Sequence, residues 1–364
     1  MVALNVPWPS DYGGAIDIFH KLRWLNKMGI KVILHAYHYG RAGSSELDAL
    51  CEAVHYYPRP SGPEYFFQRL PYIVATRNSQ ELILNLLKDD HPVLFEGLHT
   101  TYPLYQDLIR NRNCLVRCHN IEHEYYSQLG QQERSAWKKI YFHAESIKLR
   151  SYEKVLEKAS HILAISPSDH TYFSRYCQGA SLIGPFHAED ELQCAPGLGQ
   201  YVLYHGDLSV KENSLTALRL IREIFSRTSA MCIIAGKNPS KEVYTAAGKL
   251  TNLKIIANPD PTEMDELIAK AQVHLLPASL ISGIKLKLVH ALFRGRHILT
   301  NAEMVQNTGL EGICKVAENP EDMLDKLERL LSIPFTPKNI EERKSKMPDW
   351  CRNKYNAEKL IQIL

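Results

Sequence analysis

The sequence predicts two doubly wound parallel-sheet α/β domains in tandem, on three observations. Short β-branched or apolar runs alternate with longer segments of helical period along most of the 364 residues. Strict strand–helix alternation implies parallel strands joined by crossover helices that cover both sheet faces. The alternation lapses over 184–200 (GPFHAEDELQCAPGLGQ), where glycine and proline replace any period, and then restarts. The layout expected is a first domain over 1–184, a linker over 185–200, a second domain over 201–340 and a C-terminal helix over 341–364. Ligands of such sheets bind outside the carboxyl ends of the strands, so the two domains are expected to face a cleft.

In chain order, the strands expected in the first half are VALNV (2–6), KVILHAY (31–37), AVHYY (53–57), PVLFEG (92–97), CLVRC (114–118) and HILAIS (161–166). Each is a short β-branched or aromatic run bounded by turn residues. Residues 14–29 between the first two read as helix, with Ile18, Leu22 and Leu25 on one face. Residues 134–159 read as a long helix carrying Trp137, Ile140, Ala144, Ile147 and Val155 at helical spacing. Its lysines and arginines interleave with aromatics, the composition of a helix lying on an anionic membrane. Its interleaved glutamates favour instead a packed helix with a charged outer face. The second half repeats the scheme with strands YVLYHG (201–206), MCIIAG (231–236), LKIIA (253–257), VHLLP (273–277), HILT (297–300) and ICKV (313–316). Helices fill the intervals near 213–227, 240–250, 261–271, 284–294 and 320–332.

Composition narrows the function classes. A net charge of +3, from 43 basic and 40 acidic side chains, does not argue for nucleic acid. No apolar run reaches the ~18 residues that span a bilayer. The N-terminus lacks the basic-then-apolar pattern of a secretory signal. The eight cysteines are scattered without a Cys-x-x-Cys pair, as expected of reduced thiols in the cytoplasm.

Four stretches carry candidate chemistry, each at a strand-to-helix turn. In PWPSDYGGAIDIF, Gly13 and Gly14 open a helix whose free amides suit an anion; a tight turn is the plain alternative. In RCHNIEHEYY, His119, Glu122 and His123 have the spacing of an inverted zinc-peptidase motif. There, however, His119 ends a strand instead of sharing a helix face with His123. In YHGDLSVKENSL, Lys211 either reaches an anion or is a solvated surface lysine. In SGIKLKLVH, Gly283 exposes the amides of Ile284 and Lys285 at a helix start. Lys285 and Lys287 add charge, giving either a diphosphate cradle or a solvated basic turn.

Taken in order, these stretches resemble the retaining glycosyltransferases of group 1, of the GT-B fold with two Rossmann-like domains, in the subgroup whose signature reads Gly-Ile-Lys-x-Lys. The correspondence runs from Pro7 and Gly13-Gly14 through His119-Asn120-Ile121-Glu122 and ISPSD (165–169) to Gly206, IIAG (233–236) and PASLISGIKLKLVHALFRGRHILT (277–300). It implies transfer of a sugar, with retention, from a nucleotide diphosphate sugar to a glycan or lipid-linked acceptor in surface polysaccharide assembly. It implies that His119 contacts the transferred sugar. It assigns the donor diphosphate to Gly13, Gly14, Lys211, Ser282, Gly283, Ile284, Lys285 and Lys287, and the ribose to His290. No metal or other cofactor is implied. The expected partners are the donor and acceptor, with no nucleic acid. The expected placement is cytoplasmic, with room for peripheral contact at the inner membrane face.

The chain departs from the family at three points. The two usual carboxylates, eight positions apart, are Ser282 and His290, and an arginine usual after the first strand of the second domain is Asp207. A carboxylate ~6 Å from a diphosphate charge costs ~3 kcal/mol at an effective dielectric of ~20. A glycosyltransferase-shaped binding protein without turnover is therefore a second reading, and a zinc peptidase a third.

Overall fold

The computed structural model describes residues 1–109, 111–177, 179–279 and 284–364. The chain forms two compact units: Met1–Ala188 with Asp349–Leu364, and Glu189–Pro348. Each is an α/β unit built on one parallel sheet.

In the first unit the strands are β1 (Val2–Ala3), β2 (Ile33–His38), β3 (Ala53–Pro58), β4 (Val93–Glu96), β5 (Cys114–Cys118), β6 (His161–Ala164) and β7 (Ala180–Leu182), in sheet order β3-β2-β1-β4-β5-β6-β7. Every pairing is parallel. The period of 2 divides each strand between two cores. Val2, Phe95, Val116 and Ile162 pack on one face, whereas Ala3, Leu94, Leu115 and Leu163 pack on the other. The second face is covered by the Gly13–Lys27 helix through Ile18, Leu22 and Leu25, and by the C-terminal Asn353–Ile363 helix through Ala357 and Leu360. That terminal segment is fixed by polar contacts too. Gly184 N–H donates to Asn356 Oδ1 at 3.0 Å, and Asn353 Nδ2 donates to the His187 carbonyl at 2.8 Å.

In the second unit β8 (Val202–His205), β9 (Cys232–Gly236), β10 (Leu253–Ala257), β11 (Val273–Leu275), β12 (His297–Asn301) and β13 (Lys315–Ala317) lie in the order β10-β9-β8-β11-β12-β13. All pairings are again parallel. Gly236 is required by close approach: a Cβ there would lie 1.8 Å from the carbonyl oxygen of Gly206. All eight cysteines are free thiols. Among the described residues no helix is long and apolar enough to cross a membrane.

Candidate functional site

In each sheet the strand order reverses once, between β1 and β4 in the first unit and between β8 and β11 in the second. Loops leaving the two central strands diverge there, and the gap at their carboxyl ends is the usual ligand crevice of an open α/β sheet. The described candidate residues follow strands at or next to these reversals: Gly13 and Gly14 after β1, His119 after β5, Lys211 after β8, and Ile284, Lys285, Lys287 and His290 after β11.

In the first unit Gly13 and Gly14 follow β1 and open the Gly13–Lys27 helix, whose first turn has no side-chain cap and no acidic residue. Its N-terminal amides are thus available to an anion. One turn later the helix turns charge into the core. Asp17 takes a bidentate pair from Arg117 of β5, at 2.7 and 2.8 Å, and a third contact from Lys21 at 3.1 Å. Lys21 reaches Glu96, the last residue of β4, at 2.5 Å. The other Glu96 oxygen lies 3.1 Å from His119 Nε2. Lys21, Glu96 and Arg117 are wholly buried. Burial alone would raise the Asp17 carboxyl, but the Arg117 and Lys21 cations hold it far below the carboxylate range. Glu96 is likewise lowered against its burial, by Lys21 and His119. The four buried charges sum to zero, the condition under which such a network is tolerable. Its result is that His119 is braced by a carboxylate that cannot itself move.

The zinc-peptidase geometry does not form. His119 precedes the Glu122–Gln132 helix and turns to Glu96, while His123 Nε2 lies 2.7 Å from the Tyr172 hydroxyl. Asp17, Glu96 and His119 do converge within metal-ligand distance of one another. Lys21 and Arg117 pair with the carboxylates of the same cluster.

In the second unit Lys211 begins the Lys211–Glu223 helix after β8 and is exposed. Ile284 is buried. Lys285 is the N-cap of the Leu286–Arg294 helix, which again has no side-chain cap and no acid in its first turn. Lys285 lies 3.7 Å from Glu212. Lys287 Nζ donates to Asn213 Oδ1 at 2.8 Å and stands over the Tyr204 ring. Burial lowers both ammonium groups, Lys287 to about 8. Ser282 and Gly283 lie outside the described residues. The Asp207 carboxylate is held locally: its Oδ1 accepts from Ser209 N–H at 3.0 Å and from Ser209 Oγ at 2.6 Å.

His290, the residue expected at the ribose, is held by two carboxylates. Its Nε2 stands 2.9 Å from Asp265 and 3.2 Å from Glu189, and Arg294 bridges the same carboxylates at 2.7 and 3.2 Å. Burial pushes the imidazole down, but the hydrogen bonds with Asp265 and Glu189 outweigh it and raise its pKa. Two carboxylates from other segments, Asp265 and Glu189, thus stand beside position 290.

Sequence reasoning missed Asp17, Lys21, Glu96, Arg117, Glu189, Asp265 and Arg294. A signal existed for the first group. Asp17 and Lys21, four apart, share the apolar face of their helix, and Arg117 interrupts the buried run CLVRC. Charge in a buried position needs a partner.

No family model matches the chain. It is 24% identical over 339 residues to an uncharacterized 44.6 kDa protein in the cps region of Klebsiella pneumoniae, a match covering 85% of this chain and 84% of that one. Among solved structures it superposes on sucrose-phosphate synthase from Thermosynechococcus elongatus with a TM-score of 0.71 and 14% identity, over 99% of this chain and 96% of that one. An α,α-trehalose-phosphate synthase (UDP-forming) from Burkholderia xenovorans, in complex with glucose-6-phosphate, gives 0.63 at 10% identity over 100% and 98%. A glycosyltransferase from Rickettsia africae gives 0.62 at 13% identity over 97% and 94%. The chain thus shares the two-domain α/β fold of GT-B glycosyltransferases.

Proposed function

We propose that the chain is a glycosyltransferase that moves a sugar from a nucleotide diphosphate sugar to a glycan or lipid-linked acceptor, with retention, in surface polysaccharide assembly. The observation that carries this is the pair Lys285 and Lys287 at an uncapped helix start beside the strand-order reversal of the second unit. The proteins of the same fold named for sugar or sugar-phosphate synthesis support the reaction class, and the Klebsiella relative in a cps region supports the setting.

In this reading the bond from the sugar's anomeric carbon to the diphosphate oxygen breaks and that oxygen takes the electron pair, while an acceptor hydroxyl oxygen bonds the anomeric carbon on the same face and passes its proton to the departing diphosphate. Lys285, Lys287 and the amide-rich helix start stabilise the charge that develops on it, with Lys211 at the adjoining helix start. The fixed ammonium groups supply the charge a metal would otherwise bring, so no metal is required. Asp265 and Glu189 offer acceptor oxygens for the ribose hydroxyls, with His290 and Arg294 setting their positions. In the first unit His119, braced by Glu96, contacts the transferred sugar, and Gly13 and Gly14 present amides to an anionic group.

The test is incubation with a panel of nucleotide sugars and purified glycan or lipid-linked acceptors, with product anomers read by NMR. Transfer with retained configuration is expected, and the absence of both transfer and donor hydrolysis would count against it. Calorimetric binding of nucleoside diphosphates without turnover would favour the second reading, which the loss of acidic groups at 282 and 290 motivates.

A further inference from the structure

Arg41, Arg59 and Arg77 stand in loops at the carboxyl ends of β1, β2 and β3, the ligand-binding end of an open α/β sheet. Arg41, after β2, has a carboxylate partner in Asp11. Arg59, after β3, has none: its Nε donates to Thr76 Oγ1 at 3.1 Å, and its guanidinium lies 5.0 Å from the Tyr39 ring and 5.7 Å from the Tyr72 ring. Arg77, the neighbour of Thr76, is 4% exposed. Its Nε donates to the Leu4 carbonyl just beyond β1 at 2.9 Å, and its Nη1 to the Ile73 carbonyl at 2.6 Å. Among the described residues no carboxylate forms an ion pair with Arg59 or Arg77, and neither Arg77 Nη2 nor the two Nη groups of Arg59 have a hydrogen-bond partner.

Two cations thus share a buried corner without a counter-charge. Burial first, and then Arg59, lower the Arg77 guanidinium to about 9. The other groups that act on it are the phenols of Tyr37, Tyr126 and Tyr12, which burial keeps protonated. Burial pushes the Glu122 carboxyl up to about 7, which Arg77 opposes without reversing, so this acid is half protonated near neutral pH. Elsewhere in the unit buried cations are paired: Lys21 and Arg117 meet Asp17 and Glu96. An unpaired buried charge is costly, and an anionic ligand supplies the missing partner. Guanidinium groups suit phosphate and carboxylate oxygens, which their planar donors grip in pairs.

Two further groups extend the corner toward a sugar. His99, in the turn after β4, has a buried Nδ1 with no hydrogen-bond partner. Burial, then Arg77, His119 and Arg59, push its imidazole well below the ordinary pKa, so it is neutral and within electrostatic reach of both arginines and of His119. Tyr39 is 54% exposed and offers a ring face beside Arg59.

We propose that Arg59 and Arg77 bind an anionic group, phosphate or carboxylate, carried by the sugar acceptor. The inference rests on the sugar-transfer reading and deepens it by naming the acceptor's charge. It places the anion on residues of the first unit that the donor site does not use.

The test is calorimetric titration of the full chain with galactose 6-phosphate, galacturonic acid and galactose, and separately with uridine diphosphate. The wild type is expected to bind an anionic sugar and not galactose, and the better of the two ligands tells phosphate from carboxylate. Arg59→Gln is expected to weaken that binding about 10- to 100-fold, the loss of one charge-assisted contact. It is expected to leave uridine diphosphate binding and the melting temperature unchanged, since Arg59 is half-buried and its side chain donates to one hydroxyl. Arg59→Lys, which keeps the charge, is expected to recover part of the affinity. Anionic sugars that bind no better than galactose, or binding that Arg59→Gln leaves intact, would overturn the proposal. A wild type that binds the anionic sugar through Arg59 but no nucleoside diphosphate would uphold the anion site and count against the sugar-transfer reading instead.

Discussion

Replacing Lys21 by methionine removes one of the four charges buried beneath His119 and keeps the side-chain length. Asp17 retains its bidentate pair with Arg117, but Glu96 loses the ammonium 2.5 Å from its Oε1. Glu96 has no exposed surface, so water cannot replace that contact. A buried charge left without its partner costs about 3–5 kcal/mol. For a unit of this size that lowers the melting temperature by roughly 6–20 °C. Glu96→Gln alone leaves Lys21 in excess and is expected to cost a similar amount. The double variant Lys21→Met/Glu96→Gln removes one charge of each sign and restores neutrality, so it is expected to be more stable than either single variant. Urea denaturation followed by circular dichroism, run as a double-mutant cycle, measures the coupling. If the double variant loses the sum of the two single costs, the charges are not a balanced network, and the account of how His119 is braced fails with it.

Four further outcomes follow from the second unit. Lys287→Met is expected to weaken nucleoside diphosphate binding about 10- to 100-fold by calorimetry, the worth of one charge-assisted hydrogen bond. In the wild type that binding is expected to fall as the pH rises through about 8, where Lys287 discharges. His290 has a raised pKa when folded, so its stabilising contribution is complete below its unfolded value and is lost as the pH climbs through the folded one. His290→Ala is expected to flatten the dependence of the urea midpoint on pH over that window. Gly236→Ala is expected to destabilise the second unit severely, measured by thermal melting, because its methyl would meet the Gly206 carbonyl oxygen.

Most of the secondary structure was legible because it is local. The run CLVRC became the fully buried β5, and the face marked by Ile18, Leu22 and Leu25 became the buried side of its helix. Lys285 and Lys287 were legible as a basic helix start for the same reason. The partners of His290 were not legible, because Asp265 and Glu189 reach the imidazole from other segments.

The sequence by itself determined the class of fold, since the alternation of strand and helix periods leaves parallel sheets as the way to bury every apolar face. It also marked the helix starts at Gly13 and beside Lys285, because glycines and lysines next to a strand end are read from adjacent residues. Only the tertiary structure decided which charges meet. Lys21 finds Glu96 across 75 residues, Asp17 finds Arg117 across 100, and Arg294 finds Glu189 across 105. Those pairings follow from the order of strands within each sheet, and strand order is a property of the assembled core that no short stretch of chain encodes.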